Sequence, residues 1–377
     1  MLNRRLVLAG LAAAPVAAAG GPVRASDAAA SGVALDAAFA EHAPVGLAGA
    51  VVTRQGLTWA EARGVRRFGD DEPVAATERW HLGSNTKAMT AAVFARLVEQ
   101  GRARWDLPVA EAFPGVEIHP DWRGATLDGF MHHRAGLLDE PAMGLNWLRT
   151  ARADPRSLPE QRAAIVADAL RLPPNGAPGQ FAYGNANYVV VGAAIEAITR
   201  GSWEDAMRAE LFGPLGLTNA GFGPPAASPD NAWGHRGAGA GRTPMPPDHS
   251  GADNPLALGP AGTAHMTLED YGRFLSAMMG GAPDWLGSES LARLTTPPAG
   301  DPPAYACGWG VGREAWAGAG GAGPVLRHDG SNTMWYCSVA VAPERGLALV
   351  AVANEGAAGR LACQALVRGL AAARTAG

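Results

Sequence analysis

Apolar residues recur along this chain of 377 residues in two rhythms, and the change from one to the other lays out its architecture. Residues 33–42 carry the spacing of a short amphipathic helix, closed by Pro44. Residues 46–62 then predict a hairpin, with its turn near Arg54-Gln55-Gly56. Beyond Trp80-His81-Leu82-Gly83-Ser84, the residues Met89, Val93 and Leu97 recur every four positions, so a helix is predicted until Gly101 stops it. Further helices are predicted over 126–133, 159–172, 188–199, 203–212 and, capped by Thr267, through Met279. Residues 221–262 are rich in Gly and Pro and lack periodicity, which predicts a long loop beside a cleft. The last third alternates as strands do over 306–312, 325–328, 334–341 and 347–354, with a turn at 343–346, and a helix over 358–373 closes the chain. Strands at both ends with helices between predict that the two ends meet in one sheet. Residues 26–80 with 291–377 are then a sheet domain, and 81–290 a mainly helical lobe.

A hydrophobic content of 47% over this length is enough for a large core in two lobes, and 50 Gly with 29 Pro add many turns. The first 25 residues read as an export leader: Asn3-Arg4-Arg5, an apolar run over 6–19 too short to span a bilayer, and Val23-Arg24-Ala25 before an expected cleavage ahead of Ser26. The paired arginines leave both the twin-arginine and the general secretory routes open. No cysteine precedes Cys307, so no lipoprotein anchor is expected, and no later segment is apolar enough for a membrane span. Removing residues 1–25 takes away three arginines and no acid, so the formal charge moves from −4 to −7. A periplasmic or secreted protein of that charge is a poor ligand for nucleic acid or anionic lipid. Cys307, Cys337 and Cys363 fit no metal spacing and read as buried small hydrophobes.

The candidate chemistry starts from an imbalance among the bases. Of 31 Lys and Arg residues, Lys87 alone is lysine. A guanidinium keeps its proton in a protein, whereas a desolvated ammonium can lose it and act as a base. Three residues upstream stands Ser84, which a helix would bring onto the same face, at a helix N-terminus where developing negative charge is favoured. Ser-x-x-Lys is a nucleophile-and-base arrangement of penicillin-recognising enzymes. Coincidence alone would supply it about once in thirty for a chain with 12 serines, so further partners are needed.

Those partners occur in order: Ser84-x-x-Lys87, Tyr183-x-Asn185 and His328-x-Gly330. Around them, residues 126–137 (Thr-Leu, then His132-His133-Arg134-Ala135-Gly136-Leu137), 178–185 (Pro-Gly-Gln-Phe-Ala-Tyr-Gly-Asn), Pro214-Leu215-Gly216-Leu217 and Pro260-Ala261-Gly262 match further blocks. Over about residues 33 to 365, the set resembles the β-lactamase-related serine hydrolases, which include class C β-lactamases, D-alanyl-D-alanine peptidases and family VIII esterases. The resemblance implies an α/β fold, β-lactamase-like, with a mainly antiparallel sheet flanked by helices and an inserted all-helical lobe. It implies an acyl-enzyme on Ser84, with Lys87 and Tyr183 as the other catalytic residues and no cofactor. Lys87 as a neutral base and Tyr183 as a tyrosinate polarised by Lys87 are both open at this point. Asn185 is implied to orient Lys87 and meet the substrate amide. The backbone N–H groups of Ser84 and Ser331 are implied as an oxyanion hole, with Gly330 allowing close approach.

His328 stands where β-lactamases of this group carry lysine, which favours an esterase or D-amino-peptide activity, because histidine is only partly charged near neutral pH. Asn354 matches more loosely an asparagine near a substrate carboxylate. Gly184 replaces a serine and is expected to widen the site. His133 is implied to be structural, His132 and His133 form no metal spacing, and His81 has no predicted geometry that gives it a role. The expected function is an exported serine hydrolase acting on an ester, β-lactam or peptide. The alternatives are a penicillin-binding-like sensor that acylates with little turnover and a non-catalytic binding domain.

Overall fold

The structure, a computed structural model, describes residues 25–225, 231–300, 302–318 and 320–375; the expected leader lies outside these residues but for Ala25. Helix α1 (Ala25–His42) starts earlier than apolar spacing predicts. Its first two turns are mostly alanine, a strong helix former, with Asp27 in the first turn, where a carboxylate favours the helix. The hairpin follows as β1 (Gly46–Thr53) and β2 (Gly56–Gly64).

At the other end of the chain come β3 (Tyr305–Ala306), β4 (Trp309–Glu314), β5 (Gly323–Ser331), β6 (Tyr336–Ala342) and β7 (Leu347–Ala353). The seven form one sheet in the order β2-β1-β7-β6-β5-β4-β3, with every pairing antiparallel. Leu47 pairs with Ala353 in β7, so the ends of the chain meet there. Period-2 alternation divides the faces. Leu47 and Val51 pack with Leu35 of α1 and with Leu366 and Val367 of the closing helix, Ala357–Ala372. Ala48, Ala50 and Val52 face the other way, into an apolar cluster shared with the intervening helices. At Gly49 a Cβ would come within 2.9 Å of Leu366 Cδ2 and 3.1 Å of the Trp59 ring, so glycine lets the closing helix seat closely on the sheet.

Two predicted strands are shorter than the pattern implies. The run at 306–312 is broken into β3 and β4 because Gly308 adopts φ +85°, and a Cβ there would fall within 2.5 Å of the Ala88 amide. Met334 and Trp335 lie in the bend before β6, because Asn332 Oδ1 accepts both of their amides and takes the place of a ladder.

Between the sheet segments the chain is chiefly helical. Helix α2 (Thr86–Glu99) is buried along nearly all its length, as is α3 (Asn185–Thr199). The 221–262 stretch is less featureless than its sequence. Gly221–Phe222 and Arg79–His81 both pair with Ala264–Thr267, and Gly234–Arg236 pairs with Thr243–Met245. The first of these ladders ties the chain entering Ser84 to the chain leaving the long loop.

Candidate active site

Ser84 lies in a 3₁₀ turn, Gly83–Asn85, that leads straight into α2. The turn is placed by its neighbours. Gly83 takes φ +52°, and a Cβ on it would come within 2.6 Å of the Gly330 carbonyl carbon and 2.9 Å of Ser331 Cα. A Cβ on Gly330 would in turn meet the Ser84 nitrogen at 2.8 Å. Two facing glycines thus bring the Ser84 turn against the end of β5. The outer edge of β5 is open there, since its pairing with β4 stops at Arg327. The Ser84 and Ser331 amides are neighbours in this seam.

Lys87, one turn on, is completely buried. Its Nζ lies 3.0 Å from Ser84 Oγ, 2.9 Å from Asn185 Oδ1 and 2.7 Å from the Ala261 carbonyl. Neither Asn185 Oδ1 nor a carbonyl can donate, so a neutral amine gives them its two N–H bonds and turns its lone pair to the Ser84 hydroxyl. Burial lowers the lysine pKa from 10.5 to about 7, against the opposing charge of Asp139. Asn185 Nδ2 donates to Asp139 Oδ2 at 3.2 Å, which fixes which end of the amide faces Lys87. Asp139 Oδ1 also accepts the Ala186 amide at 2.8 Å, at the start of α3.

The Tyr183 ring stands 4.9 Å from Lys87 Nζ and 4.4 Å from the ring of His133. Although 42% of the residue is exposed, burial around its phenol pushes the pKa up to about 12, opposed by a hydrogen bond with Ser84. With that much of it open to water, the direction is what matters: the phenol keeps its proton at neutral pH. His328 is buried against the same group, its Nε2 3.2 Å from the Tyr305 hydroxyl. Burial first, and then the Lys87 charge, lower its pKa to about 4. It is therefore neutral where the partly charged histidine expected from the sequence would be titrating. His133 is likewise held well below its ordinary value by burial and by Lys87.

Six of the residues singled out in the sequence, Ser84, Lys87, Tyr183, Asn185, Gly330 and Ser331, are gathered around the Ser84 turn, with the His328 ring 6.3 Å from that of Tyr183. Asn354 does not join them. It is fully buried, and its Nδ2 donates to the Val65 and Arg66 carbonyls, so it fastens β7 to the loop after β2. Gly184 does not widen the cleft either: a Cβ there would point at Asp139 and Leu137, both at 3.2 Å. Sequence reasoning missed Asp139, Tyr305 and the Ala261 carbonyl. Asp139 left a signal as an acid two residues after the Gly136-Leu137 block, and Ala261 stood in the matched Pro260-Ala261-Gly262 block without its carbonyl being given a role.

His132 lies in line between two partners, with Nδ1 2.8 Å from the Asp128 carbonyl and Nε2 3.7 Å from Cys307 Sγ. Arg293 pairs with Asp128 Oδ2 at 2.9 Å. The arrangement is a hydrogen-bonded chain with its acid already neutralised. Asp128, His132 and Cys307 bring one potential ligand atom each within 4.8 Å of one another, but the Arg293 pair already occupies the carboxylate a cation would need. All three cysteines are free and buried.

Known proteins resemble this chain over most of its length. The sequence model of the family described as Beta-lactamase matches residues 29–373. Penicillin-binding protein 4 of Amycolatopsis lactamdurans is 30% identical over 339 residues, covering 86% of this chain and 84% of the relative. Unguisins hydrolase ungD' of Aspergillus campestris is 27% identical over 370 residues, covering 89% of this chain and 65% of the relative. Among solved structures, a D-stereospecific amidohydrolase from Streptomyces sp. superposes with a TM-score of 0.70 at 24% identity, covering 90% of this chain and 97% of the other, a likeness of fold.

Proposed function

This chain belongs to the Beta-lactamase family, whose members include serine hydrolases, and from that premise we propose that it cleaves a neutral ester or amide through an acyl-enzyme on Ser84. The observation that carries this reading is the contact of a fully buried Lys87, its pKa near 7, with the Ser84 hydroxyl at 3.0 Å. Neutral Lys87 takes the serine proton as Oγ attacks the carbonyl. The oxyanion forms between the Ser84 and Ser331 amides, each such donor being worth about 3 kcal/mol in the transition state. Tyr183, still protonated, gives its proton to the leaving group and recovers one from the lysine ammonium. Water then attacks the acyl-enzyme by the same proton path in reverse. The elevated phenol pKa supports this assignment and speaks against a tyrosinate base.

A neutral His328 offers no fixed positive charge for a substrate carboxylate, which favours neutral acyl groups over β-lactams. The names of similar proteins, an unguisins hydrolase and a D-stereospecific amidohydrolase, support amides and D-residues as the first substrates to try. The likeness to a penicillin-binding protein supports a second reading, acylation with little turnover. A burst without a steady state separates the two. Export is part of the proposal, supported by the leader pattern of residues 1–25; no helix among the described residues is long and apolar enough to cross a membrane.

A fluorophosphonate probe is expected to label the wild type covalently and Ser84→Ala not at all; equal labelling of the variant sinks the assignment. The pH profile is a second check. Because protonated Lys87 cannot accept the serine proton, kcat/KM for a p-nitrophenyl ester is expected to fall about tenfold per unit below pH 7. Rate constants flat from pH 5 to 8 contradict the lysine as base.

A further inference from the structure

His81, which the Ser84 reading leaves without a part, is fully buried three residues before the serine. Its Nδ1 accepts the Gly83 amide at 3.1 Å, and its Nε2 lies 3.0 Å from Asp253 Oδ2. A ring that accepts at Nδ1 must carry its proton at Nε2, so it donates to Asp253. Asp253 Oδ1 accepts Asn332 Nδ2 at 2.7 Å and the Asn254 amide at 2.7 Å. Asn332 Oδ1 in turn accepts the amides of Met334 and Trp335. Arg152 grips the Asp253 carbonyl through Nε at 3.2 Å and through Nη2 at 2.7 Å, anchoring the acid in the long loop. One buried chain of side chains therefore joins Gly83, next to the first amide of the seam, to Asn332, next to the second.

We propose that His81, Asp253 and Asn332 are positioning residues that hold the Ser84 and Ser331 amides at the spacing an oxyanion requires. The proposal rests on the reading of those two amides as the oxyanion hole. The chain has a polarity that predicts the outcome of its own mutations. In Asp253→Asn the new NH₂ faces either Asn332 Nδ2 or His81 Nε2. The first opposes two donors directly. The second forces the imidazole into its other tautomer and turns an N–H toward the Gly83 N–H. Both break one end of the brace while changing size very little, the logic by which an acid orienting a catalytic imidazole fixes its tautomer. The exchange Asp253→Asn with Asn332→Asp restores the polarity. The amide oxygen now at position 253 accepts from His81 and the NH₂ beside it donates to the carboxylate now at position 332, so the brace itself is restored and only the Asn254 amide is left facing a donor.

The test is the rate of fluorophosphonate labelling, since that adduct places an oxyanion in the same seam. Asp253→Asn is expected to lower the limiting labelling rate roughly 100-fold, the size of losing one oxyanion donor, with KI within twofold. The double exchange is expected to recover at least tenfold. His81→Asn, which keeps an acceptor at the Nδ1 position, is expected to label faster than His81→Gln, which does not; this pair decides the matter if Asp253→Asn fails to fold by circular dichroism. Labelling of Asp253→Asn within threefold of wild type overturns the proposal. So does a loss that the exchange does not recover, because a general structural defect would not respond to polarity. If the wild type is labelled and Ser84→Ala is labelled equally, the reading of the site itself has failed, a result distinct from either.

Discussion

Lys87→Arg is expected to slow acylation at pH 7 by at least about a thousandfold, although it keeps the positive charge and the length of the side chain. The reason is proton chemistry. The buried lysine is held near pKa 7, so about half of the molecules present a lone pair to Ser84 at neutral pH. A guanidinium stays charged under all working conditions and has no lone pair to offer. It also has more donors than the three acceptors around Nζ, and the fully buried position of the lysine head leaves the surplus without water. The measurement is kcat/KM for a p-nitrophenyl ester, alongside a thermal unfolding curve to show that the variant is folded. A folded Lys87→Arg with more than a tenth of wild-type activity refutes the lysine as base. If Tyr183 were the base, charge alone at position 87 would be enough to lower the phenol pKa, and the variant would retain activity.

Gly83→Ala is the second large effect expected, and it comes through backbone geometry alone. At φ +52° an alanine carries a strain of about 1–3 kcal/mol. The added methyl would also overlap the Ser331 nitrogen and approach the Gly330 carbonyl carbon to 2.6 Å. Both neighbours are backbone and cannot swing aside as a flexible side chain would, so the turn and the end of β5 must separate. The two amides of the seam then no longer converge. We expect kcat/KM to fall about 10²–10³-fold, the range for losing an oxyanion donor, with a clear drop in the thermal midpoint. Gly184→Ala is the milder comparison: its φ is negative, and its Cβ meets Asn187 Nδ2 at 3.1 Å and Asp139 Oδ1 and the Leu137 carbonyl at 3.2 Å, far from the two amides of the seam. A Gly83→Ala enzyme with unchanged kcat/KM would mean that the seam is not where charge develops.

How much of this was legible beforehand differs by level. The strands at both ends of the chain, and the helix after Ser84, follow from period-2 and four-residue apolar spacing, which reports local geometry directly. The pairing of a unique lysine with a serine three residues earlier is legible because a helix or 3₁₀ turn brings both to one side whatever surrounds them. Residue type also pointed to a base, since only lysine among the strong cations can be neutral at pH 7.

Whether Lys87 is neutral was beyond the sequence, because its pKa depends on burial and on Asp139, a residue 52 positions away that reaches it through Asn185. The same holds for His328, whose type predicts partial charge and whose burial removes it. Asn354 had the right type and neighbourhood in sequence, yet the fold turns it toward the Val65 and Arg66 carbonyls. His81 and Asp253, 172 residues apart, carry no signal of each other until the ladder beside Ser84 brings their segments together. The sequence by itself determined which side chains were available and which local elements carry them. The tertiary structure decided which of them share a cleft and what charge each holds there, because proximity between distant segments and the loss of water around a group exist only once the chain is packed.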